Sequence, residues 1–299
     1  MLRPHRFSLV ISLLLLPLIV WPRFSARPAP QLQPQLFAEG IINTAADEYG
    51  PAFTPDGKTL YFTRRVSRQG PEYIYVSRLE NGQWSKPEIA PFSGKHFDKE
   101  PFVSPDGSKL FFASLRPVNG VEKKNSRDFD LWMVEKNARG WGEPKPLPAP
   151  VNSPGYDNYP SVAANGTIYF ASVREGGKGQ NDLYRARLVN GKYSQAENLG
   201  EAINTPGTDA DPYIAPDESY LIFCSERPGG SGSGDLYISF NRQGAWTQPR
   251  SLGATVNTSE FEYTPLMSPD RKYLFFSRGW GEIYRIESSA LNLKFEGKP

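Results

Sequence analysis

The chain of 299 residues is poor in the side chains that most often carry chemistry: it has one cysteine, Cys224, and two histidines, His5 and His96. A lone thiol forms no intramolecular disulfide. Because Cys224 ends the apolar run Leu221-Ile222-Phe223, it reads as a buried structural thiol rather than a nucleophile. His5 lies in the N-terminal apolar segment, which leaves His96 alone for any triad or zinc site and argues against both. There is no charge excess either. With 34 basic against 32 acidic residues and no basic stripe, nothing recommends a nucleic-acid partner. The glycines around Gly229 to Gly234 lack the following Lys-Ser/Thr of a phosphate loop. Asp128-Phe129-Asp130 and Asp209-Ala210-Asp211 lack the ligand spacing of a calcium loop. Neither a cofactor nor a metal is expected.

Long apolar runs are also scarce, and the one at residues 7–21 stands at the N-terminus behind Arg3, His5 and Arg6. It is short for a membrane span, which needs about 20 residues. Residues 1–30 are therefore expected to be a signal peptide or, because Phe24 makes a poor cleavage site, an N-terminal anchor. No cysteine lies near it to carry a lipid. Residues 31–35 read as a linker and 36–299 as one domain, placed in the periplasm or outside the cell, or tethered to the inner membrane.

What the chain has in abundance is a repeat. A proline, then Pro-Asp-Gly-Lys and an apolar strand, first seen from Pro51 to Phe62, returns at Pro101, Pro160, Pro212 and Pro265. Several short strands per unit of roughly 50 residues are the signature of propeller blades. Asp56-Gly57, Asp106-Gly107 and Asn165-Gly166 are hairpin dipeptides, whereas Asp217-Glu218 and Asp270-Arg271 lack glycine and are expected to turn less tightly. The second strands, such as Lys109-Leu110-Phe111-Phe112, are apolar on both faces, as in a sheet sandwiched between neighbours. A third strand follows at Tyr73-Ile74-Tyr75, Asp130-Leu131-Trp132, Asp182-Leu183-Tyr184, Asp235-Leu236-Tyr237 and Glu282-Ile283-Tyr284. An outer strand is marked by Trp84, Trp141, Tyr193 and Trp246, with a proline three residues on in all but the Tyr193 copy. The fifth copy lacks the outer strand, and the segment near Asn43 looks like one. Asn43, Asn152, Asn204 and Asn257 each stand eight residues before a repeat proline, with Ser93 in the equivalent place before Pro101. The expected fold is thus all-β, a propeller of five four-stranded blades closed by an N-terminal strand. Six blades, with 288–295 adding a strand, is the alternative.

These units resemble the TolB-type, WD40-like (PD40) β-propeller repeat in Ser104-Pro105-Asp106-Gly107 with Ser114-Leu115-Arg116 and Asp130-Leu131-Trp132, and in Ala215-Pro216-Asp217 with Ser225-Glu226-Arg227 and Asp235-Leu236-Tyr237. The resemblance covers about residues 34 to 287 and implies a stand-alone secreted bacterial propeller. Neither TolB itself nor a prolyl-oligopeptidase-like peptidase is expected, since the former has an α/β domain before its propeller and the latter a hydrolase domain, and neither is seen beside these repeats. The resemblance does not carry over TolB's partners, because fold does not imply function.

Two sets of polar residues follow the repeat. An acid stands three residues before each proline, at Glu48, Asp98, Asp157, Asp209 and Glu262, and an arginine follows each second strand, at Arg64, Arg116, Arg174, Arg227 and Arg278. They read either as ion pairs that fix blade orientation or as a polar rim that receives a ligand. Residues that break the symmetry are better candidates for activity. Immediately before the proline, Glu100 and Asp211 replace Gly50, Tyr159 and Thr264. A non-enzymatic monomer that binds an envelope protein, peptide or glycan through its loops is expected, with 66–72, 117–128 and 226–234 on one face. The alternative is a carbohydrate-active hydrolase or lyase using Glu100 and Asp211 as acid and base, in the manner of five-bladed arabinanase-type enzymes. An aromatic pocket around those two acids would favour it.

Overall fold

In the computed structural model, residues 33–121 and 128–291 are described. The expected signal or anchor, and part of the linker, lie outside them. Each repeat folds into one antiparallel sheet, and five sheets make a five-bladed propeller. Blade 1 runs outward from the axis as Asp47–Phe53, Thr59–Arg65 and Glu72–Glu80. Blade 2 is Asp98–Val103, Lys109–Ser114 and Asp130–Asn137. Blade 3 is Asp157–Val162, Ile168–Ser172 and Asp182–Ala186. Blade 4 is Asp209–Ile214, Tyr220–Ser225 and Asp235–Arg242, and blade 5 is Glu262–Met267, Tyr273–Arg278 and Glu282–Glu287.

The outer strands are broken by their prolines. In blade 1 the two-residue pieces Gln83–Trp84 and Glu88–Ile89 both pair with Glu72–Glu80, on either side of Pro87, which has no N–H for the ladder. Blades 2 and 4 repeat this division. Inner and second strands are buried almost throughout, since each blade covers the faces of its neighbours. The largest fully buried side chains accordingly include Phe62, Phe112, Phe170, Phe223 and Phe276, the same position of each second strand.

The chain ends close the ring. Gln35–Leu36 pairs with Glu282–Glu287, with Gln35 opposite Arg285 and Leu36 opposite Tyr284. The side chain of Asn43 then locks this seam: its Nδ2 donates to the carbonyls of Phe37 at 2.7 Å and Ile283 at 2.8 Å, and its Oδ1 accepts from the Ile283 amide at 2.8 Å. Asn152, Asn204 and Asn257 make the same bonds to the amides and carbonyls of Leu131, Leu183 and Leu236. This explains why asparagine recurs there; Ser93, the exception, accepts from the Ile74 amide. Gly281 contributes to the seam as well. Its carbonyl accepts from the Glu48 amide at 2.8 Å, and a Cβ on Gly281, at φ 141, would stand 2.8 Å from the Asp47 Cβ.

Two expectations are corrected. Ser288–Leu291 is a 3-10 turn rather than the start of a sixth blade; 292–299 lie outside the described residues. The hairpins at Asp217-Glu218 and Asp270-Arg271 are as tight as those with glycine: Glu218 and Arg271 adopt φ of 56 and 58, and their amides reach Ala215 and Ser268 carbonyls at 2.8 Å. The turn is held by its own side chains, Ser268 Oγ donating to Asp270, whose Oδ1 accepts from the Lys272 amide, so it forms despite the left-handed residue.

Arg271→Gly should therefore raise stability by roughly 1 kcal/mol in urea unfolding, the cost of holding an L-residue in the left-handed region. Asn43→Ala should lower it by about 2 kcal/mol or more, because the Phe37 carbonyl and the Ile283 amide lose their Asn43 bonds and the Ile283 carbonyl keeps only the Phe37 amide; urea unfolding reads both.

Candidate functional site

Every inner strand carries a bulge at its repeat proline. Register shifts fall between Tyr49 and Ala52, Lys99 and Phe102, Asn158 and Ser161, Ala210 and Tyr213, and Tyr263 and Leu266. The residue before the proline is left-handed in all five: Gly50, Glu100, Tyr159, Asp211 and Thr264, with φ from 46 to 62. The bulge turns its amide away from the ladder, and the preceding blade captures it. Glu100 N donates to Thr63 Oγ1 at 2.8 Å, Tyr159 N to Glu100 Oε2 at 3.0 Å, and Gly50 N to Thr264 Oγ1 at 3.3 Å. Asp211 faces the Thr264 amide of the next blade and the Tyr159 hydroxyl.

This places Glu100 and Asp211 in the waist of the axial channel, each 3% exposed, rather than on a solvated rim. The five prolines and the residues before them enclose a space of about 30 Å³ there. Such a space admits a water molecule or two, not a sugar ring. Burial raises both carboxyls above the usual carboxylate range, Asp211 strongly, since the Glu100 charge adds to its burial.

The five repeated acids and arginines form five ion pairs, each within one blade. Arg64 Nε is 2.8 Å from Glu48, Arg116 Nη2 3.0 Å from Asp98, Arg174 Nη2 2.9 Å from Asp157, Arg227 Nη2 3.2 Å from Asp209, and Arg278 Nε 2.8 Å from Glu262. Each acid also accepts from a Ser or Thr hydroxyl in the loop that leads into its strand, as Asp157 does from Ser153 and Glu262 from Thr258. The guanidiniums stack over second- and third-strand rings, Arg227 at 5.1 Å from Phe223 and 4.7 Å from Tyr237. In the Asp98–Arg116 pair burial outruns the mutual attraction: it raises the acid and lowers the base. Such a pair fixes geometry more than it adds stability.

Above the waist, on the face where second strands turn into third strands, the channel opens into a cleft of about 1020 Å³. The loops 66–72 and 226–234 lie on this face, as does the described part of 117–128. The cleft is aromatic on one side. Tyr49 and Tyr263 stand 5.8 Å apart and Tyr263 and Phe261 5.1 Å apart, with Tyr159 at the floor and Trp280 at the lip, 71% exposed. Trp280 sits between Gly279, at φ 64, and Gly281 in the shortest of the loops before a third strand. The polar side is a fixed array: Arg65 bonds Asp47 at 2.7 Å and Glu72 at 3.3 Å.

Lys99 divides this cleft from a second one of about 650 Å³ lined by Phe129, Tyr156 and Val173. Its ammonium is 2.8 Å from Glu100 Oε1, donates to Tyr156 Oη at 2.7 Å, and lies 4.5, 5.2 and 5.7 Å from the ring centres of Phe129, Tyr156 and Tyr159. Burial opposes the charge, but the Glu100 carboxylate outweighs it and holds the lysine's pKa above its ordinary value. Burial also raises the phenols of Tyr49, Tyr159 and Tyr263, and pushes Tyr156 up to about 12. These residues escaped the sequence reading, although one signal was available: the position two before the proline reads Tyr49, Lys99, Asn158, Ala210 and Tyr263, and is as irregular as the position after it.

Cys224 is buried, its Sγ close under Gly234. Among the described residues no three His, Cys, Asp or Glu side chains converge as a metal site, and no helix is long and apolar enough to cross a membrane.

No family model matches the chain, and no curated protein is similar to it in sequence. Solved structures do resemble it. TolB from Acinetobacter baumannii superposes with a TM-score of 0.51 at 20% identity over 81% of this chain, which spans 55% of that protein's length. A thermostable family-43 glycoside hydrolase gives 0.52 at 11% identity over 84% of this chain and 91% of its own. Kuenenia stuttgartiensis hydrazine synthase gives 0.52 at 15% identity, over 82% of this chain and 37% of its own. At these identities the likeness is one of fold, the propeller.

Protonation of the waist has a measurable sign. A carboxyl raised in the folded state keeps a proton that the unfolded chain releases near its ordinary pKa of about 4. The stability it contributes is full below that value and is lost as the pH rises. Asp211→Asn should therefore match the parent chain near pH 4 and gain on it progressively as the pH rises above that; urea midpoints at a series of pH values check this.

Proposed function

We propose that the chain is a non-catalytic propeller of the cell envelope, of the TolB-type repeat family, that binds a protein, peptide or carbohydrate on the face bearing the aromatic cleft. One observation carries this reading. Of the eight exposed large apolar side chains among the described residues, Ile41, Val66, Phe97, Val121, Val173 and Trp280 all lie in loops of that face; only Ile89 and Val189 lie elsewhere. Exposed apolar residues scattered over a whole surface carry little meaning, but six of eight on the one face that bears a large cleft support an interaction surface there. The rigid ring supplies a platform on which loops present such residues in fixed relation. The N-terminal apolar run supports a periplasmic or extracellular location, or retention at the inner membrane.

The carbohydrate-cleaving reading draws less support. Glu100 and Asp211 lie below the aromatic cleft in a space too small for a sugar ring. Glu100 is already committed to Lys99 and the Tyr159 amide, and Asp211 faces the Thr264 amide. Both are explained by the joining of neighbouring blades.

The test is retention of envelope proteins and glycans on the immobilised chain, with a Val66→Asp/Trp280→Ala variant and a Glu100→Gln/Asp211→Asn variant alongside. Retention at least tenfold weaker in the first variant, and within about twofold of the parent in the second, is the expected result. Release of reducing sugar from a polysaccharide by the parent, abolished in the second variant, would overturn the proposal.

A further inference from the structure

Resting on that reading, we infer that the lip of the cleft at Trp280 takes a cationic side chain, an arginine or lysine of a bound polypeptide. The wall of the cleft has charge left over. Of the three cations that line the cleft, Arg65 is held by Asp47 and Glu72, Lys99 by Glu100, and Arg278 by Glu262. Glu260 and Glu282 line the same cleft, and among the described residues neither carboxylate has an ion-pair partner; Glu282 accepts only the Tyr284 hydroxyl. The uncompensated charge of the wall is thus negative.

It is also placed beside a ring suited to it. Glu260 Oε2 lies 2.9 Å from where a Cβ on Gly279 would stand, so the carboxylate packs over the residue next to Trp280. The indole is 71% exposed and already carries one cation from the chain itself: the exposed Arg68 guanidinium lies 5.1 Å from its ring centre. Tryptophan is the strongest of the aromatic cation acceptors, and a carboxylate alongside adds a charge-assisted hydrogen bond to a guanidinium or ammonium. An anionic ligand would meet two carboxylates with no ion-pair partner here. A neutral sugar would stack on the ring but leave them unpaired. Arg68 shows how a guanidinium seats on this ring, and it competes for the site.

The glycines make the arrangement specific to this loop. Gly279 is left-handed with the Glu260 carboxylate beside it, and Gly281 is backed onto Asp47 and the Glu48 amide, so a side chain in place of Gly279 would be strained and one in place of Gly281 has no space.

Titration of the full-length chain with tri-arginine, tri-glutamate and cellotriose, followed by tryptophan fluorescence and calorimetry, tests the inference. Tri-arginine should bind, with an affinity that falls at least tenfold in Trp280→Ala, is largely kept in Trp280→Phe, falls several-fold in Glu260→Gln, and rises in Arg68→Ala; added salt should weaken it. Tri-glutamate should not bind. Absence of tri-arginine binding, or binding indifferent to both Trp280→Ala and Glu260→Gln, overturns the inference. Cellotriose binding at Trp280 with tri-arginine inert also overturns it, yet leaves this face as the ligand-binding surface. If in addition envelope retention is indifferent to Val66→Asp/Trp280→Ala, the broader reading fails with it.

Discussion

The fold turns on the left-handed residue that precedes each repeat proline. An inner strand packed at the axis must bend away from its neighbours, and the bulge supplies that bend by adding a residue and freeing an amide. Proline ordinarily pushes the residue before it toward extended conformations, so five left-handed residues in this place hold strain of about 1 kcal/mol each wherever the residue is not glycine. The strain is sustained because a hydroxyl or carboxylate of the adjoining blade receives an amide so exposed, as Thr63, Glu100 and Thr264 do. The same bonds join sheet to sheet. Glu100 and Asp211, the two acids that break the repeat, take in this ring of blade-to-blade contacts the place that Thr264 takes in the fifth blade.

Much of this architecture was legible because the repeat is written in residues whose roles are local. The hairpin aspartates, the apolar second strands and the missing outer strand of the fifth copy each imply their position, and the asparagine eight residues before the proline marks the seam at Asn43. The tightness of the hairpins at Glu218 and Arg271 was not legible, because glycine is sufficient for a left-handed turn residue but not necessary when Ser268 and Asp270 hold the turn. The waist was hidden for a different reason. Whether a polar residue near the axis meets solvent or a neighbour's amide depends on the diameter of the ring, and no single repeat encodes that.

The cleft was legible only as a departure from pattern. Lys99, Tyr49 and Tyr263 occupy equivalent positions in three blades, yet they contact one another's neighbours through the ring and not along the chain. Trp280 belongs to the loop 279–281, so short that it offers little sequence to read. Ring and cleft are thus written at different frequencies: the first in what all five units share, the second in the few places where they differ.

The seam has a consequence for how the molecule comes into being. Asn43 and Ile283 bond to one another across 240 residues, and the outer strand of the last blade is supplied by a segment made before any of the five repeats. Until the fifth unit emerges, the early strand has no sheet to join and the inner blades present uncovered apolar faces. Contacts so distant in sequence slow folding, since the loop must close before they reward it. A ring built this way cannot close before the fifth unit is available to the strand at Gln35–Leu36, and until then the uncovered apolar faces of its blades are what expose it to aggregation.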